Sequence, residues 1–176
     1  MASAFTHAYV ALALGMALAP LERRGRCIAL GVLGSALPDA DVWLHWAGVS
    51  YPSMFGHRGL THSLSFAAAF ALVTAGLLRP MPARAALYWF LAAASHGFLD
   101  AMTYGGGRGV AFFAPFWNER LYLPFRPVLV SPLGVTRFFS AYGWSVFCSE
   151  LLWIWLPLTP LCGALWLWRR RHTGPH

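Results

Sequence analysis

Two imidazoles, a guanidinium and two hydroxyls sit within Gly56-His57-Arg58-Gly59-Leu60-Thr61-His62-Ser63, directly ahead of a long apolar run. Polar groups of this kind are expensive at a bilayer boundary, so a hydrophobic sequence that keeps them there points to a site. Further along, His96 and Asp100 stand at i and i+4, on one helix face with Cβ atoms roughly 6 Å apart. That spacing suits joint binding of one ion, or a carboxylate bridging two. Asp39 and Asp41 flank Ala40 just after Pro38, and can point the same way if that segment is extended. His7 lies at the start of the first apolar run.

The candidate ligands are therefore His7, Asp39, Asp41, His57, His62, His96 and Asp100. Imidazole with carboxylate and no thiolate favours zinc, manganese or iron(II), zinc being the default for hydrolysis. Two close ions would clamp a phosphoester and bring the pKa of a bound water toward neutrality. Arg58 is expected to neutralise the phosphate, and Asp39 or Asp41 to help activate the water. Thr61, Ser63 and Ser95 are candidates for orienting imidazoles. Plainer readings stand beside these. The Asp39-Ala40-Asp41 pair equally suits a polar stop after a span, and His57 a loop or headgroup contact. His45, between Trp43 and Trp46, reads as interfacial, and His172 and His176 as solvent-exposed. Glu150 has three open roles: outer carboxylate, arginine partner or proton relay.

Five apolar spans must position these groups. The first covers about 4–21, with Thr6 as a candidate cap, and a basic turn follows it. The second opens near Cys27 and is expected to stop around Pro38, because proline removes a backbone donor and two carboxylates follow. Residues 42–49 read as an interfacial segment. The third span covers about 62–78, the fourth about 85–104, and the last about 139–168, kinked at Pro157 and Pro160. Between them, 105–138 alternates aromatics with Arg108, Arg120, Arg126 and Arg137, the pattern of a segment lying on the membrane surface. The expected architecture is a single all-α, polytopic membrane domain over 1–176, with a motif-bearing core at 3–104 and the metal site at one membrane face.

Composition agrees, since 58% of the 176 residues are hydrophobic and only 11% charged, outside the usual range of a soluble domain. The net charge of +7 comes from thirteen arginines without a lysine, and a nucleic-acid role is excluded by where they lie. Eight fall in three groups at the ends of apolar runs: Arg23, Arg24 and Arg26; Arg79 and Arg84; Arg169, Arg170 and Arg171. A five-span zigzag puts all three groups on one side. By the positive-inside rule that side is cytoplasmic, with the N-terminus outside. The arginines alone set this topology, yet it brings the polar ends of four separate segments to the opposite, outer face. Cys27, Cys148 and Cys162 form no metal or redox pair and read as apolar fillers. No charged region precedes the first run, so it is expected to be retained rather than cleaved.

The motif order is distinctive: an early Thr-His, Gly-Ser-x-Leu-Pro-Asp-x-Asp, His-Arg-Gly-x-Thr-His-Ser and Ser-His-x-x-x-Asp. It resembles the YdjM-type family of bacterial membrane-bound metal-dependent hydrolases, over about residues 3–100. The order is also similar to the dizinc core of zinc-dependent phospholipase C. That second likeness implies Asp100 as a bridge between two metals. His62, His96 and one of Asp39 or Asp41 would complete one site, His7 would serve a neighbouring one, and the other aspartate would be the general base. The later His-x-x-x-Glu ligands of that core are missing, so one or two ions are expected rather than three. The resemblance implies a bacterial inner-membrane enzyme whose site faces the periplasm or outer leaflet, with membrane lipid as partner. Its substrate would be a phospholipid or amphiphilic phosphodiester. Two other classes stay open: a divalent-metal or proton-coupled transporter, and a non-catalytic scaffold stapled by a structural metal.

Overall fold

A computed structural model describes residues 1–21, 23–132 and 134–172. Glu22 of the basic turn, Leu133 and the terminal His176 lie outside the described residues. Helix accounts for 64% of the chain. The strands among the described residues are a two-residue parallel pair, β1 (Thr103–Tyr104) and β2 (Val128–Leu129), so the fold is all-α as expected. The helices are α1 (Ala4–Leu18), α2 (Arg24–Ala36), α3 (Val42–Trp46), α4 (Leu64–Leu77), α5 (Ala83–Ala101), α6 (Val135–Phe138), α7 (Ala141–Glu150) and α8 (Leu156–His172).

Helix α5 is the hub, packing on α1, α2 and α4, while α1 also meets α2 and α8. Small residues permit the close approach. Tyr88 of α5 is fully buried in the space left by the missing side chain of Gly31, and its hydroxyl donates to the Ala11 carbonyl at 2.9 Å. Beside it, buried Trp89 donates to the Cys27 carbonyl at 3.0 Å, so both polar aromatic tips are satisfied.

Two helical runs are long and apolar enough to cross a membrane, Arg24–Trp46 and Ala141–His172. Helices α1 and α4 are apolar but shorter, with 15 and 14 residues. At 1.5 Å per residue they rise about 22 and 21 Å, short of the roughly 30 Å hydrocarbon core. The shortfall has a local cause. Ser63 caps α4 by accepting from the Phe66 amide at 3.0 Å, which leaves His62 outside the helix. Ser3, not Thr6, caps α1.

The second run does not stop at Pro38 as the sequence suggests. Leu37–Asp41 tightens to a 3₁₀ turn with the proline in its first turn, where no amide donor is needed, and the helical path continues into α3. In α3, Trp43 and Trp46 are exposed. The final run passes through a π turn at Leu151–Trp155, ahead of Pro157 and Pro160. That turn contains Trp153, whose carbonyl Pro157 leaves without its helical donor.

All three arginine groups lie at one end of the bundle. Arg24 donates to the Met16 carbonyl and Arg169 to those of Ala17 and Ala19, closing the open C-terminus of α1. Arg23 reaches the Met81 sulfur at 4.0 Å, between Arg79 and Arg84. Within 105–138, Val110, Ala111, Phe112 and Ala114 are buried, the Ala111 amide donating to the Arg58 carbonyl at 3.0 Å and the Phe112 carbonyl accepting from the Leu64 amide at 2.9 Å, while Phe116 and Phe125 remain exposed.

Candidate metal centre

Four side chains from three elements meet at the other end of the bundle. Asp39 comes from the 3₁₀ turn after α2, His62 from the 3₁₀ turn before α4 (Leu60–His62), and His96 and Asp100 from α5. One ligand atom from each lies within 4.8 Å of the other three. Gly97 permits the close seating of His62 on α5, since a Cβ there would run into the His62 carbonyl.

Hydrogen bonds fix the two imidazole tautomers. His96 Nδ1 is 2.6 Å from the Ser35 carbonyl, which only accepts, so Nδ1 carries a proton and Nε2 is the nitrogen turned to the cluster. His62 Nδ1 faces Asp41 Oδ2 at 3.2 Å and Thr61 Oγ1 at 3.0 Å, and that hydroxyl itself donates to Asp41 at 2.6 Å. Its Nε2 is therefore bare. The two Nε2 atoms stand 3.1 Å apart. Around them, Asp39 Oδ1 lies 3.3 Å from His96 Nε2, and Asp100 Oδ2 lies 3.6 Å from His62 Nε2. Asp39 Oδ1 is buried without a hydrogen-bond partner, while Asp100 Oδ2 also faces Arg58 Nε at 3.1 Å. Two imidazole nitrogens and two carboxylate oxygens thus crowd one small volume, and a cation at their centre, a metal ion or a proton shared between the rings, relieves the repulsion among them. The donor set fits a divalent ion. His62 stands ahead of α4, and burial, reinforced by neighbouring His96, lowers its pKa to about 4 against the pull of Asp41, so it is neutral and fit to ligate at pH 7.

Asp41 does something different from Asp39. In a helical turn, residues two apart diverge, so the expectation that both carboxylates point the same way gives way to a division. Asp41 is buried and receives His57 Nδ1 at 2.6 Å, the Arg58 amide at 3.2 Å, Thr61 and His62. Asp41, His57 and His62 form a second group with metal-ligand spacing, but every contact within it carries a proton, so an ion there must displace donors.

His7 stacks on His96 with centroids 3.7 Å apart and brings Nε2 to 3.4 Å from Asp100 Oδ1. Asp100 thus turns one oxygen toward His7 and the other toward His62. Among the described residues, no group of three metal-capable side chains includes His7.

Arg58 occupies the left-handed backbone region at φ 65°, held there by its amide on Asp41 and its carbonyl on Ala111. Its guanidinium is buried, with Nε 3.1 Å from Asp100 Oδ2 and Nη2 3.2 Å from Thr103 Oγ1. The side chain expected to neutralise a phosphate therefore spends two of its nitrogens on the protein and leaves Nη1 without a partner.

The remaining sequence candidates sort by contact. Thr61 orients His62, whereas Ser63 is a helix cap and Ser95 donates to the Ala92 carbonyl within its own helix. His45 is exposed, with Nδ1 3.3 Å from the Val49 carbonyl, and His172 is exposed on α8. Glu150 is buried and accepts from the Ser3 amide at 2.5 Å, Ser3 Oγ at 2.6 Å and Thr6 Oγ1 at 2.8 Å. It anchors the start of α1, and the Ala2 amide then donates to Asp100 at 2.9 Å. Arg120 was hidden among the loop arginines. It donates to the carbonyls of His57, Tyr51 and Ser53, clamping the turn that carries His57. No spacing in the sequence signals these contacts, because they join segments about sixty or more residues apart.

A profile of the YdjM inner membrane protein family matches residues 1–172. The chain belongs to the YdjM family. Inner membrane protein YbcI of Escherichia coli (strain K12) is 39% identical over 180 residues, covering 97% of this chain and all of the relative. The family and this relative are inner membrane proteins, and the chain carries two helical runs that can serve as spans. No solved structure matches the chain. The likeness to the phospholipase C core accordingly rests on motif order alone, while the YdjM motifs supply the residues of the four-donor cluster.

Proposed function

We propose that this YdjM-family chain is a multi-pass, membrane-embedded metal-dependent hydrolase of a phosphoester, carried by a phospholipid or another amphiphile. The observation that carries the reading is the convergence of two imidazole Nε2 atoms, 3.1 Å apart, with the Asp39 and Asp100 carboxylates in one donor set. Asp39, His62 and His96 would hold the ion. Asp100 would be the exchangeable donor, because Arg58 competes for its Oδ2 at 3.1 Å. Three committed protein donors with one labile position match catalytic rather than structural zinc sites. Bound there, zinc supplies Lewis acidity and lowers the pKa of an attacking water, with manganese or iron as substitutes. A second ion, if taken, would lie between Asp100 and His7.

The protein's own groups do the rest. Asp39 is 20% exposed and is the proton acceptor nearest the opening, while buried Asp41 keeps His57 and His62 in register. Arg58 steadies Asp100 and turns its unpartnered nitrogen toward an incoming anion. The shared end of the three arginine groups supports a five-helix zigzag with that end cytoplasmic, N-terminus outside and site toward the outer leaflet. Helices α1 and α4 would begin below the membrane surface, beneath the polar cluster.

The scaffold reading draws on burial, since His62, His96 and Asp100 are closed to solvent. The transporter reading lacks a polar path, since Glu150 is committed to Ser3 and Thr6 at the same end as the cluster. Metal content and turnover of a chromogenic phosphodiester, measured on wild type and His96→Ala, separate these. Joint loss of metal and turnover supports the hydrolase. Metal retained by wild type without turnover supports the scaffold, and metal unchanged in His96→Ala refutes the centre.

A further inference from the structure

Beside the four-donor cluster lies a cavity of about 160 Å³, walled by Tyr51, His57, Arg58, Gly107 and Ser131 among others. None of its lining residues is acidic. Arg58 is 1% exposed, and its unpartnered Nη1 lies against Gly107, whose φ of +81° and missing side chain leave that nitrogen room. Arg120 and Arg108 sit 5.0 and 6.0 Å from the Tyr51 ring centroid, adding positive potential at the same wall. An unpaired buried guanidinium nitrogen in a cavity without acids calls for an anion.

The cavity does not stand alone. Met1 and Ser131, joined by a backbone hydrogen bond of 2.9 Å, wall both it and a second cavity of about 280 Å³. Phe5, Phe138 and Phe139 wall that second cavity and a third of about 510 Å³, which Trp144, Phe147 and Trp155 complete. A cationic pocket thus adjoins a run of aromatic surface.

We infer that this run binds one phosphate-bearing lipid, its headgroup on Arg58 in the small cavity and its chain along the Phe5, Phe139 and Trp144 wall. The inference deepens the hydrolase reading by naming the substrate class as a lipid phosphate. A neutral or zwitterionic lipid has no net charge to match the acid-free pocket, and free phosphate leaves the aromatic wall unused.

The test reconstitutes the full chain in phosphatidylcholine vesicles and records the motionally restricted fraction of spin-labelled phosphatidic acid against spin-labelled phosphatidylcholine. Wild type is expected to prefer phosphatidic acid by about tenfold, the worth of one charge-assisted contact. Ser131→Asp sets an acid in the small cavity without touching the Arg58–Asp100 pair, and Trp144→Glu sets one on the exposed aromatic wall. Each is expected to reduce the preference at least fivefold while metal content stays unchanged. No preference in wild type, or preference retained in both variants, overturns the inference and leaves only annular lipid. Full displacement of the label by millimolar inorganic phosphate, with Trp144→Glu behaving as wild type, overturns the lipid assignment in favour of an anion alone. Phosphodiester turnover and metal content on the same samples keep the two readings apart, since either can fail while the lipid preference stands.

Discussion

Replacing Asp41 by asparagine keeps the side chain's shape but leaves it one acceptor oxygen and one NH2 group. Oδ2 of Asp41 receives Thr61 at 2.6 Å and both the Arg58 amide and His62 Nδ1 at 3.2 Å, whereas Oδ1 receives only His57 at 2.6 Å. The amide oxygen will therefore take the Oδ2 position and turn NH2 toward His57. That ring is 12% exposed and can move its proton to the other nitrogen. His62 keeps its tautomer yet loses a charged partner, so its Nε2 becomes a weaker donor. Losses of this kind cost about 10- to 100-fold in metal affinity, about 1.4–2.7 kcal/mol. Asp39→Asn is different, because it replaces an unpartnered oxygen inside the donor set, and stoichiometric zinc should be lost altogether. The assay is competition against a chromophoric chelator after stripping and reloading the purified protein, with elemental analysis for stoichiometry. Equal losses in the two variants, or a greater loss in Asp41→Asn, would refute the division of labour between the carboxylates.

Glu150→Gln should lower stability by about 2–4 kcal/mol, because charge-assisted bonds to Ser3 and Thr6 are each worth about 1.5–3 kcal/mol; a melting temperature equal to wild type contradicts the anchoring role. Arg120→Met strands the carbonyls of Tyr51, Ser53 and His57 and should cost about 2–3 kcal/mol while zinc stoichiometry holds, which thermal melting and elemental analysis read together. Acid should destabilise the metal-stripped protein in a defined window. The unfolded chain takes up a proton at a histidine below about 6.5, but folded His62 resists until about 4, so its contribution is intact above 6.5, is lost as pH falls between these values and changes no further below. His62→Asn should flatten the melting profile across that window.

Much of the donor set was legible in the sequence. His96 and Asp100 share a face because four residues nearly complete a helical turn, and His62 and Asp39 stand out because polar groups are costly beside apolar runs. The arginine groups announced a common end because alternate turns of a zigzag fall on one side, and the structure joins Arg23, Arg24 and Arg169 there. These are local signals, written in spacing and composition. The division between Asp39 and Asp41 was not legible, since it depends on whether the backbone at Pro38 is extended or helical, and only packing on α5 selects the 3₁₀ turn. Arg58, Arg120 and Glu150 were ambiguous for a related reason. Each is a charge whose partner lies more than forty residues away, and sequence distance carries no record of which carbonyl or carboxylate a buried charge must find. Residue types decided that metal-capable side chains would lie near one another; the fold decided which of them converge on one point and which merely hold the others in place.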